Sequence, residues 1–547
     1  MNLDALWAQA QSAHQSGNLA LAYSLYQDLL KQGYQREAVL SRLAHVCIQA
    51  QDLDAAANYL EQLCTLYPSK LAYYEARANL YVKQQRWMQA AVCYLEFLRS
   101  NPSQADGYYN AAYYLKQAGE YARAIENYQQ ALEHGISQPE EVLTNMAVIY
   151  SEHLRQEDQA KSCLERALNQ LPSYTPAMFN LATLYEEEGD KAHAAKLYEK
   201  IVEFDPSNHR ALARLAEAQR ILDPSAPIIS KLQTALVDSS MDDFSRTNIH
   251  YALGKALDDC GEFDDAFKHY AAANDLDRSN NPLYSKERQE QIVDDNINFF
   301  TEDWFNRHAP TSDASPIFIC GMFRSGSTLA EQVLASHSSL TAGGERDFFY
   351  KLARSNIDPY PVALEKIEFS ALQEMANDYL ADLAKAFPGD ARPTDKRPDN
   401  FLHIGLIKTL FPRAKFIQTN RNPRDNCLSI YFLRTAASMS YAANLTDIAH
   451  YYKQYLRLMA HWRKLFPENV YALDYDRLVV DPEPIVRDLL AFLDLPWEPQ
   501  CLDFHRLKNR VKTASIWQVR QPLYQSSSGR WKNYQNNIAD LIAEFAE

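Results

Sequence analysis

The sequence predicts a two-part chain, an α-solenoid of helical repeats followed by an α/β domain built on a parallel sheet. Three observations predict it. A self-similar pattern returns every 34 residues through the first half. A short apolar run, PIFICGM, then opens a strand–loop–helix pattern at Pro316, and the same order of elements returns at Lys415. At 547 residues the chain is too long for a single core. Its 47% hydrophobic and 23% charged residues suit a globular protein.

The repeats come first. Alanines recur at Ala22, Ala56, Ala90 and Ala124, resume at Ala160 after a two-residue slip, and continue at Ala194. Each opens a related helical segment, such as AAANYLEQLC and AIENYQQALE. Gly17, Gly119, Gly189 and Gly261 precede these segments, where a tight turn between helices favours positive φ. Pro68, Pro102, Pro172 and Pro206 follow them, where a helix must stop. This pattern resembles the tetratricopeptide repeat. The array is expected over 1–280 with about seven repeats, interrupted near 208–249, and a helical linker over 281–312 leads to the second domain at 313–547. Stacked helix pairs present a concave groove, so a protein or peptide partner is expected there, or self-association as a homodimer.

In the second half, Pro316–Met322 reads as a buried strand, GMFRSGST as a small-residue loop, and LAEQVLASH as a helix. That context lets backbone N–H groups and a helix N-terminus cradle phosphate-like oxygens, which makes the domain P-loop-like. The loop lacks the Gly-Lys-Ser/Thr of a nucleoside-triphosphate site, and Arg324 is its cation. A second strand, Lys415–Thr419, leads to Arg421 and a helix containing Ser429. Ligands of open α/β sheets bind beyond the carboxyl ends of strands, so two separated anion subsites are expected.

With both motifs in order, the segment at about 313–540 resembles sulfotransferases that use 3′-phosphoadenosine 5′-phosphosulfate (PAPS), and is most similar to the tyrosylprotein sulfotransferase branch. The resemblance implies that Arg324, Ser325, Gly326, Ser327 and Thr328 hold the 5′-phosphosulfate, and that Arg421 and Ser429 hold the 3′-phosphate. It places the general base at Glu345 of Gly343-Gly344-Glu345-Arg346, 21 residues beyond Arg324. Lys396, next to Arg397, matches a lysine that touches the transferring sulfuryl group. Tyr475 matches a tyrosine near the nucleotide, Ser515 a serine near the reaction centre, and Ser526–Trp531 the segment that closes over the cofactor. The family's second helix arginine is missing: Leu433 occupies its place and Arg434 follows one residue later.

The implied reaction is displacement at sulfur, with an acceptor hydroxyl giving its proton to Glu345 while Arg324 and Lys396 stabilise the departing phosphate. PAPS is then the co-substrate and no metal is expected. The branch points to protein tyrosine as acceptor; carbohydrate, lipid and small phenolic acceptors stay open, as does a nucleotide-binding scaffold without catalysis. The net charge of −15 argues against a nucleic-acid surface. Eight dispersed cysteines without a C-x-x-C pair suit reduced thiols, and no segment reads as a signal peptide or an apolar run of about 20 residues. A cytoplasmic protein without a membrane span is therefore expected.

Overall fold

The computed structural model describes residues 2–546, apart from 308–310, 390, 508, 510, 512 and 514 and the side chains of 516 and 517. It divides into two compact units, Met1–Leu184 and Tyr185–Glu547.

In the first unit, antiparallel helix pairs follow the sequence period. Leu3–Gln15 pairs with Leu19–Lys31, Arg36–Gln49 with Leu53–Leu66, and Leu71–Lys83 with Trp87–Ser100. Ala22, Ala56, Ala90, Ala124 and Ala160 are completely buried, as small residues between closely packed helices are. The two-residue slip before Ala160 is taken up by a π-helical turn at Tyr150–Leu154.

The second unit begins inside the helix Thr175–Glu188. Ala194 is again fully buried in Lys191–Phe204. The stretch expected as an interruption holds the short helices His209–Ala218 and Pro227–Val237. Asp243–Cys260 and Phe263–Asn280 then form a long antiparallel pair turning at Gly261, with the Tyr270 ring lying against Gly254. This pair packs on the sheet domain: Asn274 Nδ2 donates to the Tyr431 carbonyl over 2.9 Å, and Arg434 pairs with Asp277. Repeat-like helices and sheet therefore share one compact unit, although the repeat pattern stops only at about residue 280.

Among the described residues the sheet has five parallel strands, β1 (Ile317–Gly321), β2 (Leu340–Thr341), β3 (Arg392–Lys396), β4 (Lys415–Asn420) and β5 (Val470–Asp474), in the order β2-β3-β1-β4-β5. β1 is buried along its whole length, as an apolar central strand of a two-faced sheet must be. Ile317 and Ile319 pack with Leu329, Val333 and Leu334 of the following helix, Ser327–Ala335. Phe318 faces the other way and stacks with Phe416 and Tyr379. Ile319 is in register with Lys396 on one side and Ile417 on the other. The carboxyl ends of β3, β1 and β4 thus lie side by side, about 5 Å apart per strand.

Candidate active site

The loop between β1 and its helix is held in an unusual conformation by its own contacts. Arg324 has φ +66°, a left-handed value that costs a non-glycine residue about 1–2 kcal/mol. Its carbonyl accepts from Arg421 Nη1 (3.2 Å), and its guanidinium donates to Ser429 Oγ (3.2 Å), Gln518 Oε1 (2.8 Å) and Ser515 Oγ. Gly326 follows at φ +101°, and a Cβ there would meet the Tyr475 ring at 2.5 Å. Tyr475, directly after β5, is therefore packed on the loop glycine, and the Arg421 guanidinium lies over the same ring at 5.1 Å from its centroid.

Arg421 leaves the end of β4 almost completely buried. Its Nη2 donates to the Ser527 carbonyl (2.6 Å), while its Nε is buried without a hydrogen-bond partner. Arg324, Arg421, Ser429, Tyr475, Ser515, Gln518 and Arg530 line one cleft, with an apolar wall that includes Leu329, Val479, Phe504 and Leu523. Among its described lining residues there is no carboxylate. Burial and the neighbouring Arg421 charge pull the Arg324 guanidinium down to about 10. The two expected subsites are thus one cleft, because Arg324 reaches across from the first motif to Ser429 of the second.

Not every loop residue faces this cleft. Ser325 uses its N–H on the Met322 carbonyl and its hydroxyl on Met322 O (2.6 Å) and Thr419 Oγ1 (2.6 Å), so it pins the loop to β4. Ser327 is buried at the start of the helix, and Thr328 donates to Thr513 Oγ1 (3.2 Å). The segment Ser526–Trp531 is fastened by its backbone: Gly529 and Trp531 donate N–H groups to the Asp425 carboxylate over 2.6 and 2.8 Å.

A second cluster lies on the other side of β1. Lys396, fully buried at the end of β3, donates from Nζ to Glu345 Oε1 over 2.6 Å, while the Glu345 side chain remains 41% exposed. Arg397 turns away to Asp399 (2.6 Å) and the Tyr350 ring. The Glu345 loop lies flat on β3: a Cβ on Gly343 would sit 1.8 Å from the Thr394 carbonyl oxygen. Buried Glu331, on the helix after the anion loop, accepts from the Gly344 N–H (2.9 Å) and Thr394 Oγ1 (3.2 Å), and burial raises its pKa. Neighbouring Asp395, buried between Tyr379 and Asn400, is pushed by burial to about 7.

Sequence reasoning missed Glu331, Gln518 and Arg530. Arg530 alone had a signal, since its segment was singled out. Arg434, one position beyond the missing family arginine, is engaged elsewhere, donating to the Phe244 carbonyl and Asn248.

The Arg324 loop at the end of β1, a strand-end arginine on β4 and an ion pair on β3 thus gather along the carboxyl edge of one parallel sheet. The model of the sulfotransferase family matches residues 316–499, and tetratricopeptide-repeat models match 38–70, 75–139 and 175–208. The chain thus carries tetratricopeptide repeats followed by a domain of the sulfotransferase family. A protein of Aquifex aeolicus (strain VF5) with no assigned function is 32% identical over 401 residues, covering 70% of this chain and 52% of the relative. The protein-tyrosine sulfotransferase of Drosophila melanogaster is 23% identical over 262 residues, covering 44% of this chain and 50% of the relative. The chain therefore spans about half the length of these curated relatives. Among solved structures, the sulfotransferase domain from the Synechococcus PCC 7002 olefin synthase is 19% identical with a TM-score of 0.33, covering 44% of this chain and 94% of that one. Among the described residues, no helix is long and apolar enough to cross a membrane.

Proposed function

We propose that this chain transfers a sulfuryl group from PAPS to a hydroxyl of a protein tyrosine. The observation that carries the reading is the pairing of an arginine-lined cleft at the ends of β1 and β4, with no carboxylate among its described lining residues, with the Lys396–Glu345 pair at the end of β3. A cleft lined by arginines and serines, with an apolar wall, has the chemistry to take a nucleotide bearing more than one phosphate.

In the proposed step the acceptor oxygen bonds to sulfur as the bond from sulfur to the bridging phosphate oxygen breaks. Glu345 takes the acceptor's proton from its exposed side, and 3′-phosphoadenosine 5′-phosphate leaves. Lys396 turns from Glu345 toward the bridging oxygen, where negative charge develops, and Arg324 stabilises it from the loop. Ser515, held on Arg324, keeps that guanidinium aimed at the reaction centre. Catalysis here is mostly positioning and electrostatics.

Tyrosine as acceptor is supported by the names of distant relatives, and the repeats would recruit the protein that carries it. Calorimetry with 3′-phosphoadenosine 5′-phosphate and ATP tests the donor; preference for ATP, or silence toward both, rejects it. Incubation with labelled PAPS and cell lysate tests the acceptor, and label confined to carbohydrate, lipid or small molecules rejects protein tyrosine.

A further inference from the structure

The cleft's third guanidinium is set by a residue far away in the chain, on a repeat-like helix. Arg530 lines the cleft, yet its Nη2 donates to Asp258 Oδ2 over 2.5 Å, and Asp258 belongs to the helix Asp243–Cys260. The other Asp258 oxygen accepts from the Tyr534 hydroxyl. Around this pair the aromatic rings interlock. The Arg530 guanidinium lies 5.2 Å from the Phe432 ring centroid, Phe432 stacks on Tyr270 at 4.0 Å, and Tyr534 meets Phe432 edge-on at 4.8 Å. The backbone on either side of Arg530 is fixed separately, through Asp425. Two anchors therefore determine where this guanidinium points: Asp425 for the chain and Asp258 for the side chain.

We infer that Asp258 is a positioning residue for donor binding, so that the helix pair Asp243–Asn280 completes the nucleotide site by aiming Arg530 into the cleft. Asp258 also supplies counter-charge behind a cleft that gathers Arg324, Arg421 and Arg530 without a carboxylate among its described lining residues. Without it, a long arginine side chain would have to be ordered at the moment of binding, against the like charges of its two neighbours. The inference rests on the sulfonucleotide reading given above.

The test uses the full chain and 3′-phosphoadenosine 5′-phosphate as the calorimetric probe. Asp258→Asn is expected to raise Kd about tenfold and KM for PAPS by a similar factor, with the effect confined to KM rather than kcat. In an Arg530→Gln background the same change should add less than about twofold, since a residue acting through Arg530 has nothing left to position. Asp258→Glu, which keeps the charge, should recover most of the affinity and serves as the readout if the asparagine variant does not fold. An unchanged Kd in Asp258→Asn, or full additivity with Arg530→Gln, overturns the inference while leaving the donor reading intact. A wild-type chain that does not bind the probe rejects both.

Discussion

The two flanks of β1 treat positive charge in opposite ways. On the β4 side, Arg324 and Arg421 donate to hydroxyls, an amide and carbonyls around a cleft without a described carboxylate, and the buried Arg421 Nε has no partner. On the β3 side, Lys396 is answered by Glu345 at 2.6 Å, with Glu331 and Asp395 buried close by. A cleft whose described lining gathers arginines and no carboxylate attracts negative charge, so the first flank suits an anion brought from outside. The second flank is internally compensated, which suits groups that exchange a proton and a contact during the reaction. Binding and chemistry should therefore separate experimentally along β1.

The largest expected break in that comparison is Glu345→Gln. Loss of a positioned general base should lower kcat about 100- to 10,000-fold, while calorimetric binding of 3′-phosphoadenosine 5′-phosphate stays within about twofold. Retained turnover in this variant would reject the base assignment. Arg421→Gln is expected to do the reverse, raising Kd for the same nucleotide about 10- to 100-fold through lost charge-assisted hydrogen bonds. An effect of Arg421→Gln on kcat alone would erase the distinction between the flanks.

How much of this was legible depends on the range of the contacts. The 34-residue period was readable because each small residue marks a close crossing of neighbouring helices, and the buried Ala22, Ala56 and Ala90 bear it out. The two strand–loop–helix motifs were readable for the same reason: strand, loop and helix are adjacent in sequence. Partners such as Arg530 and Asp258, or Arg324 and Gln518, lie 272 and 194 residues apart and leave no local pattern. Ser325 shows the converse difficulty. Its type and place suit a phosphate ligand, yet its hydroxyl is occupied by Met322 and Thr419, contacts set by the register of β1 against β4. Glu331 looked like one polar residue on a helix, and only the fold places it beneath Gly344.

Asp395 gives the β3 flank a pH signature. Its folded-state pKa is raised to about 7, so its favourable contribution is present below the usual carboxylate value of about 4 and is lost as pH rises through about 7. Urea denaturation of the wild type should therefore show stability falling over that window, by at most about 1.4 kcal/mol per pH unit from this group. Asp395→Asn should remove that component and gain on the wild type by a few kcal/mol or less at pH 8. Parallel profiles for the two proteins would show that the carboxyl titrates normally.

The smallest effect is expected at Glu331, and it sharpens the comparison most. Glu331→Gln keeps an oxygen to accept the Gly344 N–H and removes only the charge, so the Glu345 loop should stay close to β3 and kcat should fall about three- to tenfold. Glu331→Ala removes the acceptor as well, leaves a buried N–H without a partner, and should fall further. Nucleotide affinity should hold in both variants, because Glu331 fixes the β3 flank although its helix starts from the anion loop on β1. If affinity moved with kcat, that helix would couple the two flanks, and the division of labour along β1 would be replaced by a single cooperative site.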